Sequence, residues 1–249
     1  MQLDPALYGE GLADIYDLIY PVSPEVDSAA DFVAARTPAG GTVLEFGVGT
    51  GRIATALAER GLKVNGVDAS QRMLDRLAEK TADLPVMATL GDFTSVDCGG
   101  SHDTVLIALN TLFMVPSQEG QIQVLQNARR HLADDGALIV EVYEPTRFHS
   151  LPGGTDTMIQ HLDRESLLLC SIQVDKVNQI AAIGQAYLRS GELRKTPEIS
   201  RYAFPAEVDL MARIAGLQLT ERYEDWDGRY FEHRSVRHIS VYRPVPDAD

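Results

Sequence analysis

Three glycines at alternate positions, Gly47, Gly49 and Gly51, follow the β-branched run T-V-L-E-F of residues 42–46. A glycine-rich turn between a strand and a helix lets backbone N–H groups approach a ligand that a Cβ would keep out. A second apolar run, V-N-G-V-D, ends at Asp68, 21 residues past Gly47 (68 − 47). A carboxylate at the end of a second strand is placed to accept hydrogen bonds from ribose hydroxyls. Together the two features imply a bound nucleoside. A dinucleotide site wants G-x-G-x-x-G, but counting from Gly47 the sixth position is Arg52 and the last glycine comes one residue early.

The surrounding chain alternates between two periods. Apolar spacing predicts strand 42–46, helix 51–60, strand 63–67, helix 70–82 capped by Ser70, strand 85–90 and strand 103–109. Helix 117–133, opened by Ser117, and strand 137–143 after Gly136 complete the run. Strands alternating with helices predict a parallel sheet covered on both faces. Ahead of it, Leu12, Ile15, Tyr16, Ile19 and Tyr20 stand at helical spacing over 6–20, with Pro21 as the stop, and a second helix is expected over 24–36. Past Pro145 the helical period disappears. Four β-rich stretches in 155–204, separated by turn residues, predict an antiparallel insertion, before helix 205–215 and strands 217–224 and 237–243. The expected organisation is a helical N-terminal lid (1–40), a nucleoside-binding core (41–145), the insertion as substrate cover or dimer contact (146–204), the end of the core (205–244) and a disordered tail (245–249).

The run E-F-G-V-G-T-G resembles the acidic-x-G-x-G-x-G signature of the S-adenosylmethionine (SAM) dependent methyltransferases with a Rossmann-like fold. The closing strand–loop–strand, with no helix between, is similar to the antiparallel seventh strand of that family's sheet. The resemblance covers 42–145 by motif and 205–243 by order of elements. It implies an α/β fold: a seven-stranded sheet with helices on both faces, here with an antiparallel β insertion after the fifth strand. The segment Y-G-E-G-L-A-D-I-Y-D-L-I-Y and the insertion are similar to small-molecule N-methyltransferases acting on nucleotide-linked amino sugars and on glycine. Where the amino-sugar enzymes carry a histidine past the fourth strand, this chain has Phe113 and Met114, which makes the pocket more apolar.

That resemblance implies SAM as cofactor and S-adenosylhomocysteine as product. Gly47, Gly49 and Gly51 would wrap the methionine end, with Glu45 orienting the loop or reaching the ammonium, and Asp68 would hold the ribose. Ala69 and Met73 would pack on the adenine, and Asp92 and Phe93 would read its edge. Ligands of open α/β sheets lie beyond the carboxyl ends of the strands, so Ala108, Leu109 and Asn110 should flank the sulfonium and Phe113 and Met114 begin the acceptor cavity. Three tyrosines, Tyr8, Tyr16 and Tyr20, stand within 13 residues of a chain that has nine, and suit a closing surface that excludes water.

Methyl transfer from a sulfonium needs alignment in a dry cavity more than a strong catalytic group. A base is needed only for an acceptor that arrives protonated. Candidates at the mouth are Tyr8, Tyr16, Tyr20, Tyr143, Glu144, Arg201 and Tyr202, with Trp226, Tyr230 and His233 in the loop after the sixth strand; His233 is the candidate histidine, and Tyr16 and Asn110 join it as catalytic candidates. A net charge of −14 argues against nucleic acid or an anionic membrane as partner, and no apolar run approaches the roughly 18–20 residues of a membrane span. Cys98 and Cys170 form no disulfide framework, and no residues have metal-ligand spacing. The expectation is a cytoplasmic, metal-free enzyme, open to homodimerisation, that methylates N or O of a small molecule, with specialised metabolites among the candidates. A SAM-fold protein without transferase activity and, less favoured because of Arg52, a NAD-dependent oxidoreductase are the alternatives.

Overall fold

The computed structural model describes residues 4–246. It opens with α1 (Leu7–Leu12), α2 (Tyr16–Ile19) and α3 (Pro24–Ala34). The single helix expected over 6–20 is in fact two, because Ile15 leaves helical backbone at φ −121° and ψ 0°. Helices of six and four residues do not persist alone. These two are held by docking: Leu12, Ile15 and Ile19 are buried among Met73, Leu168, Cys170 and Tyr187. Each such side chain contributes about 1.5–3 kcal/mol.

The core follows as β1 (Thr42–Phe46), α4 (Arg52–Glu59), β2 (Lys63–Asp68), α5 (Gln71–Thr81), β3 (Val86–Leu90) and β4 (His102–Ile107). A 3₁₀ turn (Thr111–Met114) leads to α6 (Gln118–His131), β5 (Leu132–Tyr143) and α7 (Thr146–His149). β5 starts ahead of the predicted 137. His102 pairs with Leu132 and Thr104 with Ala137, so a bulge takes Gly136 into the strand. The insertion is β6 (Thr155–His161), β7 (Ser166–Asp175), β8 (Ile180–Arg189) and β9 (Glu192–Arg201), a four-stranded antiparallel sheet in chain order. Then come α8 (Pro205–Ile214), β10 (Leu217–Tyr223) and β11 (Arg237–Pro244). Of the expected disordered tail, Val245 is held by its N–H on the Gly216 carbonyl (2.9 Å), and residues 247–249 lie outside the described residues.

The main sheet has the order β10-β11-β5-β4-β1-β2-β3. Its strands are parallel from β3 to β5, while β11 runs antiparallel to both β5 and β10. Phe32, Ile53, Leu57 and Leu77 of α3, α4 and α5 cover one face, and Val124, Leu125, Val208 and Met211 of α6 and α8 cover the other. The strand order reverses between β1 and β4, which opens a crevice at their carboxyl ends. The small sheet and the α1–α2 segment close over that crevice.

Candidate functional site

The turn after β1 is built from backbone that only glycine adopts cheaply. Gly47, Gly49 and Gly51 have φ of +72°, +55° and +84°. Their roles divide. A Cβ on Gly47 would stand 2.5 Å from Thr111, and one on Gly49 would meet only the Tyr16 ring at 3.9 Å. Both glycines line a cavity. Gly51 sits behind it as the N-cap of α4, where a Cβ would strike Leu77 at 2.2 Å.

Asp68 closes the cradle from β2. One carboxylate oxygen accepts the Gly49 N–H and the other the Ser70 N–H, both at 2.9 Å. Burial pushes its pKa up, against the pull of these backbone donors. Ser70 caps α5 through Met73 N–H (3.2 Å) and donates to Glu10 of α1 (2.7 Å). Beneath the turn, Glu45 is buried with one carboxylate oxygen unpartnered, and burial raises its pKa to about 8 although Arg52 draws it down. A buried carboxylate without its full set of partners fits a cationic group bound above it.

Beyond β4 the chain turns through two left-handed residues, Leu109 (φ +49°) and Asn110 (φ +63°). Asparagine tolerates this conformation; leucine is strained there. The strain is held from β5. Leu109 N–H donates to Glu141 (2.9 Å), and Asn110 Oδ1 accepts the Tyr143 N–H (2.7 Å). Glu141 is fixed in turn by Trp226 Nε1–H (3.2 Å) and Arg237 (3.3 Å). Two residues at the cavity wall are thereby locked in place.

The cavity encloses about 1090 Å³. That exceeds the roughly 300–1,000 Å³ typical of a single small-molecule site, so it has room for a nucleoside and a second molecule. Its floor is Gly47, Gly49, Asp68, Ala69, Met73, Asp92 and Phe93, and its middle is Leu109, Asn110 and Phe113. Tyr8, Tyr16 and Tyr20 enclose one side, and the inner face of the small sheet forms a roof. Tyr16 and Tyr20 rings lie 4.9 Å apart, and burial raises the pKa of all three tyrosines.

Comparison with known proteins decides what this cradle holds. Residues 43–136 match the family described as a methyltransferase domain. The cypemycin N-terminal methyltransferase of a Streptomyces species is 33% identical over 96% of this chain and 98% of its own length. The CcbJ methyltransferase of Streptomyces caelestis is 38% identical, with a TM-score of 0.91 over 98% of this chain and all of that one. The SAM-bound amino pentose methyltransferase CalS10 of Micromonospora echinaspora, at 18% identity and TM-score 0.70 over 91% of this chain and 96% of its own, shares the fold.

This chain is a SAM-dependent methyltransferase. Its reaction is the transfer of a methyl group from SAM to a small acceptor. The glycine cradle, where a Cβ would intrude, and the unpartnered acid below it fit the cofactor's size and charge.

Several residues expected at the methyltransferase site stand elsewhere. Ala108 is packed in the core and does not reach the cavity, while its expected companions Leu109 and Asn110 do. Glu45 and Gly51 support the turn from below. The loop after β10 does not open over the cavity. Its indole, Trp226, is buried edge-on against Phe32 of α3 (5.4 Å), Tyr230 stacks outside on Tyr223 (5.5 Å), and His233 is exposed to solvent. Arg201 is buried in a network with Glu207 (2.6 Å) and Gln121 (3.1 Å) that ties β9 to α8 and α6. Tyr202 is fully buried, its hydroxyl hydrogen-bonded to His149 (3.0 Å). Conversely, Gln160, Cys170, Gln185, Glu198 and Ser200 line the roof, and none was expected. Their signal is period-two phase: Cys170 sits in phase with Leu168 and Ile172, Gln185 with Ile183, and Glu198 with Ser200. Among the described residues no group of three or more His, Cys, Asp or Glu could hold a metal, and no helix is long and apolar enough to cross a membrane.

Proposed function

We propose that this methyltransferase moves the methyl group of SAM to an amine nitrogen of a small, largely apolar acceptor, with a peptide N-terminus in scope. The observation that carries this is the chamber continuous with the cradle. Phe113, Met114, Phe148, Ile172 and Ile183 make it apolar, and the small sheet roofs it. The relatives point the same way, since the cypemycin enzyme acts on an N-terminus and CalS10 on an amino pentose. When bound, SAM supplies an activated methyl group whose sulfonium charge vanishes on transfer.

The chain's own residues then have distinct tasks. Gly47 and Gly49 offer backbone to the methionine end, Asp68 accepts from the ribose, and Asp92 and Phe93 take the adenine. The locked Leu109–Asn110 turn would hold the cavity wall against a bound methyl donor, and alignment of reactants can supply about 7–11 kcal/mol of such a barrier. Two free, separate thiols suit a cytoplasmic setting. In the test, dipeptide amides with free N-termini release S-adenosylhomocysteine from SAM, and their N-acetylated and hydroxy-acid counterparts do not. Turnover of the hydroxy acids alone overturns the nitrogen assignment.

The α1–α2 segment reads as a closing lid within the same proposal. Asp17 accepts from Thr50 of the glycine turn (2.6 Å), and Asp14 bridges Arg72 and Arg76 of α5 (2.6 and 3.1 Å). Gly9 permits the contact, because its Cβ would lie 2.5 Å from that of Ser70. Gly9→Ala is therefore expected to lift α1 from α5. Amides over 7–20 should exchange faster while those of the main sheet keep their protection, and SAM should bind more weakly. Unaltered exchange in the variant counts against the lid.

A further inference from the structure

We propose that Glu198, presented together with Gln185 on the underside of the small sheet, binds the ammonium group of the acceptor and takes one of its protons. The inference rests on the nitrogen-directed reading above and assigns the residues that recognise that nitrogen.

The geometry singles out this pair. Glu198 on β9 and Gln185 on β8 both line the cavity, and Gln185 Nε2–H donates to Glu198 Oε2 (2.8 Å). That bond leaves the other carboxylate oxygen open to the chamber. Gln185 is itself 6% exposed, and its amide oxygen has no partner. Leaving a buried acceptor unpaired is costly, so the arrangement fits a ligand carrying several N–H donors. An ammonium brings three donors to these oxygens; an alcohol offers a single donor.

Every other group facing Glu198 is unsuited to the task. Tyr8 on α1, Tyr20 after α2 and Tyr143 on β5 all feel its charge, and burial holds each protonated. Cys170 on β7 faces it too, and burial pushes that thiol up. Arg52 acts on Tyr16, Tyr20 and Glu45, and among the described residues Glu198 has no ion-pair partner. Burial raises Glu198 to about 7 against the pull of the Gln185 hydrogen bond, the range in which a proton acceptor works best at neutral pH.

The step balances. The Glu198 carboxylate accepts a proton from the ammonium, and the electron pair of that N–H bond stays on nitrogen as its lone pair. The lone pair forms the new N–C bond to the incoming methyl group, while the S–C electron pair remains on sulfur. Glu198 returns its proton to water when the product leaves.

The test titrates protein saturated with S-adenosylhomocysteine with hexylamine and, in parallel, hexan-1-ol, by calorimetry. Wild-type protein should bind hexylamine about 10–100-fold more tightly near pH 8 than near pH 5, and hexan-1-ol equally at both. Glu198→Gln should lose that preference and its pH dependence, with the affinity for S-adenosylhomocysteine unchanged, and Glu198→Asp should keep the pH dependence. Hexylamine binding that is independent of pH in the wild type, or as tight in Glu198→Gln, overturns the assignment. The two readings fail separately. Amine methylation by Glu198→Gln at the wild-type rate and pH profile removes the Glu198 role alone. Glu198-dependent hexylamine binding without methylation of any amine removes the nitrogen-transfer reading alone.

Discussion

Asp68→Ala should weaken SAM binding about 10–100-fold, the loss of one or two charge-assisted hydrogen bonds. The fold should survive, because Asp68 lies at the end of β2 and its backbone pairing to Leu90 does not involve the side chain. Part of the loss is indirect. The carboxylate also holds Gly49 N–H and Ser70 N–H, so alanine frees the turn that must present backbone to the cofactor. Asp68→Asn separates the two contributions. The amide keeps one acceptor for the turn but puts donors where the ribose hydroxyls also donate, so a direct ribose role predicts a large loss for Asn as well. Calorimetry with S-adenosylhomocysteine reads both variants. Wild-type affinity in Asp68→Ala would remove Asp68 from the site.

The main sheet was legible because its signals are local. Alternating apolar runs, caps at Ser70 and Ser117 and the glycine turn each constrain a few neighbouring residues, and their order leaves few ways to wind the sheet. The four strands of the insertion were legible for the same reason. What failed is what depends on which surface a segment meets. Nothing near Trp226 records that Phe32, far earlier in the chain, offers an apolar face, yet with that contact the loop, His233 included, stays outside the cavity. Arg201 likewise looks like a ligand for a charged substrate until Glu207 and Gln121 are seen to consume its donors. Glu198 was overlooked for the opposite reason. A charged residue in a polar-looking stretch reads as solvated, and only its phase with Ser200 on the same strand places it over a cavity.

Glu45 gives the protein a stability that falls as pH rises. Its folded pKa, about 8, stands above the usual glutamate value, so folding favours the protonated acid. The associated stability is full below the unfolded pKa and is lost as pH climbs through about 8. Between about pH 6 and about pH 9 the loss amounts to roughly 2–3 kcal/mol, or about 5–10 °C in Tm for a chain of this size. Glu198 (about 7), Asp68 and Glu141 are raised by burial too and act with the same sign. His238 opposes them on the acid side. Burial depresses its pKa to about 3, so stability is lost as pH falls below the unfolded value of roughly 6.5. The raised acids outnumber His238, so the ligand-free enzyme should be more stable near pH 5 than near pH 8, with Glu45→Gln flattening the alkaline limb. If the SAM ammonium reaches the unpartnered Glu45 oxygen, the rise in Tm on adding SAM should grow over the same interval. Thermal melts of wild type and Glu45→Gln across that range, with and without SAM, test the account. Parallel alkaline slopes in the two proteins would assign the loss to the other buried acids and leave Glu45 without this role.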